Sequence, residues 1–129
     1  MRAIDTNVIV RFLTADDPRQ AKAARREIGG GDIFIGATVL LEAEWVLRAG
    51  YGFAAGQIAD SFARLGGLPE IALERPAEVA QALAWMREGM DFADGLHLAK
   101  AGHCSTFISF DRKLANRARR LGAMNVEHP

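Results

Sequence analysis

The chain has 129 residues and a mass of 14.0 kDa, room for a single domain spanning residues 1–129. Half of it is hydrophobic and a quarter charged, which excludes a disordered or fibrous protein. Sixteen basic residues cancel sixteen acidic ones, so bulk charge attraction is not the main device for holding nucleic acid or a membrane surface.

Aromatic residues make only 8% of the chain. The apolar content therefore leans on Ala, Leu, Ile and Val, as expected where helices pack on a buried sheet. The basic set is thirteen Arg against three Lys. Arg forks suit carboxylate or phosphate, and a GC-rich genome gives the same bias, so the composition leaves both readings open. Cys104 is alone, which rules out an intrachain disulfide and fits a reducing cytoplasm. The N-terminus reaches Asp5 too soon for a signal peptide, and no apolar run is long enough to span a membrane.

In chain order, Arg2 to Asp5 reads as a short strand running into a polar stop. Asp17-Pro18 starts a helix, with Asp as N-cap and Pro at the first helical position, and the glycines from Gly29 end it. Asp32 to Gly36 is a second strand. Thr38 is the expected cap of a helix through Arg48, closed by Gly50. A helix over Ala54 to Leu65, a strand over Glu70 to Leu73 and a helix over Ala77 to Arg87 follow. A helix over Asp91 to Ala101, the strand Thr106 to Phe110, a helix over Asp111 to Leu121 and an edge strand near Val126 complete the chain. Apolar strands alternating with helices predict an α/β fold with a mostly parallel central sheet of four or five strands flanked by helices.

In open parallel sheets ligands bind beyond the carboxyl ends of the strands. Asp5 and Asp111 both follow predicted strands, and oxygen ligands of that kind suit Mg²⁺ or Mn²⁺. Each acid alone also reads as local chemistry, an Asx-turn at Asp5 or a helix cap at Asp111. Glu42 and Glu44 share one helix but point about 200° apart. Val39, Trp45 and Val46 lie on the Glu42 side, which predicts that Glu42 faces the core and needs a partner such as a metal. Glu44, four residues before Arg48, reads as a solvated ion pair. Asp91 and Asp94 open a helix, where an acid at the cap and at the third position is favoured by the helix dipole. The same spacing gives them a common face. Asp16 and Asp17 read as a helix start without further chemistry, and His97 as a helix histidine or a substrate contact.

Asp5-Thr6-Asn7 after an N-terminal strand, Glu42 within LLEAEWVLR, DFADGLHLA and ISFD together resemble the pattern of a PIN domain, more narrowly the VapC toxins of type II toxin–antitoxin modules. The resemblance runs from Met1 to about Gly122. It implies a Mg²⁺- or Mn²⁺-dependent endoribonuclease whose catalytic acids are Asp5, Glu42, Asp94 and Asp111. Asp5 and Asp94 would be the nearest metal ligands, with Glu42 and Asp111 acting through water. Asp91, Thr6, Asn7 and Ser109 would be auxiliary. Ser109 stands where Thr is frequent in the family and keeps the hydroxyl, and Glu44 is an extra acid where an apolar residue is usual. The resemblance further implies a homodimer and a cognate VapB-like antitoxin. The apolar helices around Trp45, Phe53, Phe62 and Trp85 are compatible with such partner surfaces, although core packing accounts for most of them.

An RNA polyanion beside an acidic site needs nearby cations. Arg112, Lys113, Arg117, Arg119 and Arg120 occupy one face of the last predicted helix, opposite Leu114, Ala115, Ala118 and Leu121. That face suits either an RNA backbone or plain solvent. Two other readings use the same residues. A catalytically silent PIN-like binding module would keep the fold without the reaction. A receiver-type phospho-switch would want an acidic pair after the first strand and a Lys after the last, and the chain has neither.

Overall fold

The computed structural model describes all residues from Met1 to Pro129, and they form two compact units, Met1–Pro76 and Ala77–Pro129. The first holds strands β1 (Arg2–Ala3), β2 (Ile33–Ile35) and β3 (Ile71–Leu73), hydrogen-bonded in that order and all parallel. Ile33 pairs with Arg2 on one side and Ile71 on the other. Ile33 and Ile35 are fully buried, and the intervening Phe34 is only half-buried, as the two-residue alternation of a strand requires. Four helices connect the strands: α1 (Thr6–Thr14), α2 (Pro18–Gly29), α3 (Ala37–Trp45) and α4 (Ala55–Gly66). A π-helical turn, Val46–Gly50, extends α3.

Helix α1 is the element that the residues do not announce. Its sequence, TNVIVRFLT, is rich in β-branched residues and extends the apolar run of β1. Asp5 nevertheless caps it, and Thr6, Ile9 and Val10 bury one helical face against α2 and α3. The strand before it is correspondingly shorter than Arg2 to Asp5. Helix α2 starts as expected, with Asp17 accepting from the Gln20 N–H and Pro18 at the first position.

Helix α3 corrects the expected cap. It begins at Ala37 behind Gly36, and Thr38 does not cap it. The Ala37 N–H is instead satisfied by Glu74, one residue past β3, at 2.8 Å. A cap supplied by a neighbouring strand connection leaves no local sequence signal.

The end of α1 carries strain. Ala15 adopts φ 53°, a left-handed conformation that favours glycine, while its N–H closes on Arg11 at 3.0 Å. Asp16 steadies this corner by accepting from Arg11 at 2.8 Å, Thr14 at 3.0 Å and the Tyr51 hydroxyl at 2.7 Å. These bonds hold the Asp16 carboxyl below the usual carboxylate range, the Tyr51 hydrogen bond first among the causes.

The second unit holds α5 (Pro76–Arg87, begun at the last residue of the first unit), α6 (Phe92–Lys100), β4 (Phe107–Ile108), α7 (Arg112–Leu121) and β5 (Val126–Glu127). Strands β4 and β5 form a parallel pair, Phe107 against Val126 and Ile108 against Glu127. The five strands thus divide into a group of three and a group of two. Met90, Leu98, Leu114 and Ala118 form a core cluster, with Trp85, Phe107 and Val126 packed against it. Gly95 of α6 permits a close helix approach: a Cβ there would lie 3.3 Å from the Ala82 backbone of α5.

The strain at Ala15 gives a direct expectation. Ala15→Gly should stabilise the protein by about 1 kcal/mol, because relief of the left-handed alanine exceeds the added freedom of the unfolded chain. Denaturant unfolding should show a higher midpoint at an unchanged slope.

Candidate functional site

In the first unit, Asp5 and Glu42 are joined through one threonine. Asp5 is exposed, and its carboxylate accepts from the Thr6 N–H at 2.8 Å, while its carbonyl accepts from Val8 at 3.1 Å. The Thr6 side chain is buried, and its hydroxyl donates to a Glu42 carboxylate oxygen. The first residue of α1 therefore steers two acids at once. Asn7 is exposed and lines a separate groove with Arg11, Gln20 and Glu27.

The two glutamates of α3 exchange the places expected of them. Glu42 is exposed, and Glu44 is buried to 1% exposure. The buried face is Ala37, Leu40, Ala43, Glu44 and Leu47, while Val39 and Val46 are half-buried and Trp45 is 60% exposed. Apolar residues surround this helix on nearly every side, so the apolar pattern did not define its inward face. Ala37 and Ala43 are both buried on the face that packs inward. The Glu44–Arg48 ion pair does form, at 2.8 Å, with Glu44 as its buried member and Arg48 half exposed. Glu44 thus has its partner within its own helix, and Glu42 keeps its carboxylate in solvent with only Thr6 attached.

In the second unit, Asp91 caps α6 and accepts from the Asp94 N–H at 3.3 Å. Asp111 caps α7, accepting from Lys113 at 2.9 Å and Leu114 at 3.1 Å. The Ser109 hydroxyl in turn accepts from the Asp111 N–H at 3.0 Å, which fixes the entry of the chain into that helix. Asp91, Asp94 and Asp111 line a cleft of about 200 Å³ together with Gly89, Lys113 and Arg117. Asp94 is half-buried there. Burial pushes its carboxyl pKa up, and the charges of Asp91 and Asp111 push it further, against a smaller opposing effect of His97. His97 itself is exposed.

The cation-bearing face of α7 also divides. Lys113 and Arg117 line the cleft, whereas Arg112, Arg119 and Arg120 are exposed and lie outside its lining. Leu114 and Ala118 are buried on the opposite face, as the wheel requires. Of the four aromatic residues singled out for partner surfaces, Phe62 is core, Phe53 and Trp85 are half-buried, and Trp45 is exposed.

The chemistry of these donors suits a hard divalent cation, since every candidate ligand is a carboxylate oxygen and Asp94 is under electrostatic stress that a cation would relieve. No three acidic, His or Cys side chains converge closely enough to cage an ion by themselves.

The model of the PIN domain family matches residues 3–120, and the chain belongs to that family. PIN domains are generally nucleases, hydrolases acting on nucleic acid, and typically use divalent metals. No curated protein and no solved structure matches the chain. No helix is long and apolar enough to cross a membrane.

The Asp94 environment sets a dependence of stability on pH. A carboxyl whose folded pKa lies above its ordinary 3.8 stabilises the fold while protonated, and that contribution is lost as pH rises through the folded value. Asp94→Asn should therefore melt above the unsubstituted protein at neutral pH. The gap should close as pH falls below about 3.8, as thermal melts across the acid range would show.

Proposed function

We propose that this chain is an endoribonuclease dependent on Mg²⁺ or Mn²⁺ and acts as the VapC-type toxin of a type II toxin–antitoxin module. The observation that carries the reading is the cleft that gathers Asp91, Asp94 and Asp111 with Asp94 driven toward its protonated form. An arrangement that strains a carboxylate against two like charges is poor for stability alone, and a divalent cation reverses its sign.

The proposed catalytic acids are Asp5, Glu42, Asp94 and Asp111. Asp5 and Asp94 are the proposed direct ligands, and Glu42 and Asp111 act through water. When bound, the ion would polarise the scissile phosphate and lower the pKa of the attacking water. The residues of the chain position these groups. Thr6 orients Asp5 through its N–H and Glu42 through its hydroxyl, and Ser109 fixes the backbone that carries Asp111. Asp91 holds the first turn of α6 through the Asp94 N–H and so sets where the Asp94 carboxylate stands. Asn7, next to Thr6, supports Asp5 in the same proposal.

The proposed partners are an RNA substrate, a VapB-like antitoxin and a second copy of the chain, and the proposed compartment is the cytoplasm. Exposed Trp45 on α3 is the largest apolar side chain there available to a protein partner. Co-expression with the cognate antitoxin should relieve growth arrest.

The test is cleavage of total cellular RNA by purified protein with Mg²⁺, Mn²⁺ or EDTA. Discrete fragments should appear with either metal and vanish with EDTA, and Asp5→Asn and Asp94→Asn should lose them. Within α3, Glu42→Gln should reduce cleavage by about 100-fold or more with little change in melting temperature. Glu44→Gln should do the opposite, lowering the melting temperature while cleavage persists, because its carboxylate is buried with Arg48. A folded, metal-supplied protein that cuts nothing would return the chain to the silent-module reading.

A further inference from the structure

The acidic cleft of the second unit also contains the means of holding the substrate's charge. Three carboxylates and two cations leave it one charge negative, and one divalent cation turns that to one positive, the sign a phosphodiester requires. Its volume of about 200 Å³ leaves room for a hydrated phosphate group.

Arg117 is the residue built into this space. It is half-buried, unlike Arg112, Arg119 and Arg120 on the same helix. Its guanidinium lies against Gly89, where a Cβ would come within 2.5 Å of Nη1 and 3.5 Å of Cζ. Gly89 has φ +99°, a conformation that L side chains rarely adopt, so this position both turns the chain and leaves the guanidinium its space. Neither Arg117 nor Lys113 is ion-paired with a carboxylate, although three line the same cleft. A half-buried guanidinium with its fork unengaged by carboxylate matches a phosphate oxygen pair in geometry and charge.

We propose that Arg117, assisted by Lys113, binds a backbone phosphate of single-stranded RNA in this cleft, and that Gly89 is a positioning residue that keeps the guanidinium there. The inference rests on the nuclease reading and assigns it a phosphate subsite.

The experiment measures binding of a labelled, mixed-sequence single-stranded RNA oligonucleotide in Mg²⁺ across a salt series. The full chain carries Asp5→Asn to suppress cleavage. Adding Arg117→Gln should weaken binding about tenfold at low salt and flatten the log–log salt slope by about 0.7, the value for one phosphate contact on a single strand. Arg117→Lys should keep the slope. Arg119→Gln removes the same charge from the same helix outside the cleft and should shift affinity by less than about threefold. Gly89→Ala, which presses on the guanidinium without changing net charge, should weaken binding in the same direction as Arg117→Gln.

Equal behaviour of Arg117→Gln and Arg119→Gln, with RNA still bound, overturns this inference and leaves the nuclease reading in place. Failure of the chain without the added substitutions to bind RNA overturns both.

Discussion

A helix that begins just after a strand exposes backbone N–H groups that need acceptors, and this requirement fixes where several acids of each unit stand. Asp5 answers it for α1, Glu74 for α3, and Asp111 for α7. Asp91 does the same at α6, which follows a loop. The acids therefore have a structural reason to be where they are before any chemistry is asked of them. Capping also limits their freedom, because a carboxylate that accepts from the helix N-terminus has one oxygen committed there.

The same geometry explains why these acids are not equivalent. Asp5 and Asp111 are exposed and anchored by main-chain donors at the starts of their helices. Asp94 is half-buried and faces two like charges, so it bears the strain of the cluster. Glu42 is held by a hydroxyl from another helix instead of by its own backbone. Glu44, two residues away, satisfies itself against Arg48 and so is accounted for by the fold alone. The four proposed catalytic carboxylates thus share one chemistry but sit in four different settings.

The α/β class, the parallel pairing and most elements were legible because alternation of short apolar strands with capped helices is a strong pattern. Asp17-Pro18 and Asp111 carried their caps in plain view. Helix α1 was not legible, since Val8, Ile9 and Val10 favour extended chain by local preference and adopt a helix through packing on α2 and α3. The Glu74 cap was invisible because its partner lies 37 positions away. The orientation of α3 was illegible for a different reason: a helix apolar on several sides gives no vector, and its buried face includes a charged residue, Glu44. The helical wheel placed Glu42 on the core side, where Glu44 in fact lies, so the role proposed for Glu42 rests on the family resemblance. Among the basic residues of α7, one amphipathic face was readable, but its division into cleft and solvent was not, since the cleft lining also comes from Gly89 and Met90 ahead of α6.

Each compact unit contains one of the two tryptophans, Trp45 in Met1–Pro76 and Trp85 in Ala77–Pro129. Their surroundings differ, since the indole of Trp45 is 60% exposed and that of Trp85 packs against the Met90–Leu114 cluster. The molecule thus carries an intrinsic optical label on each half. The first emits from a wet setting and the second from a drier one, so the loss of order in either half has its own spectral signature.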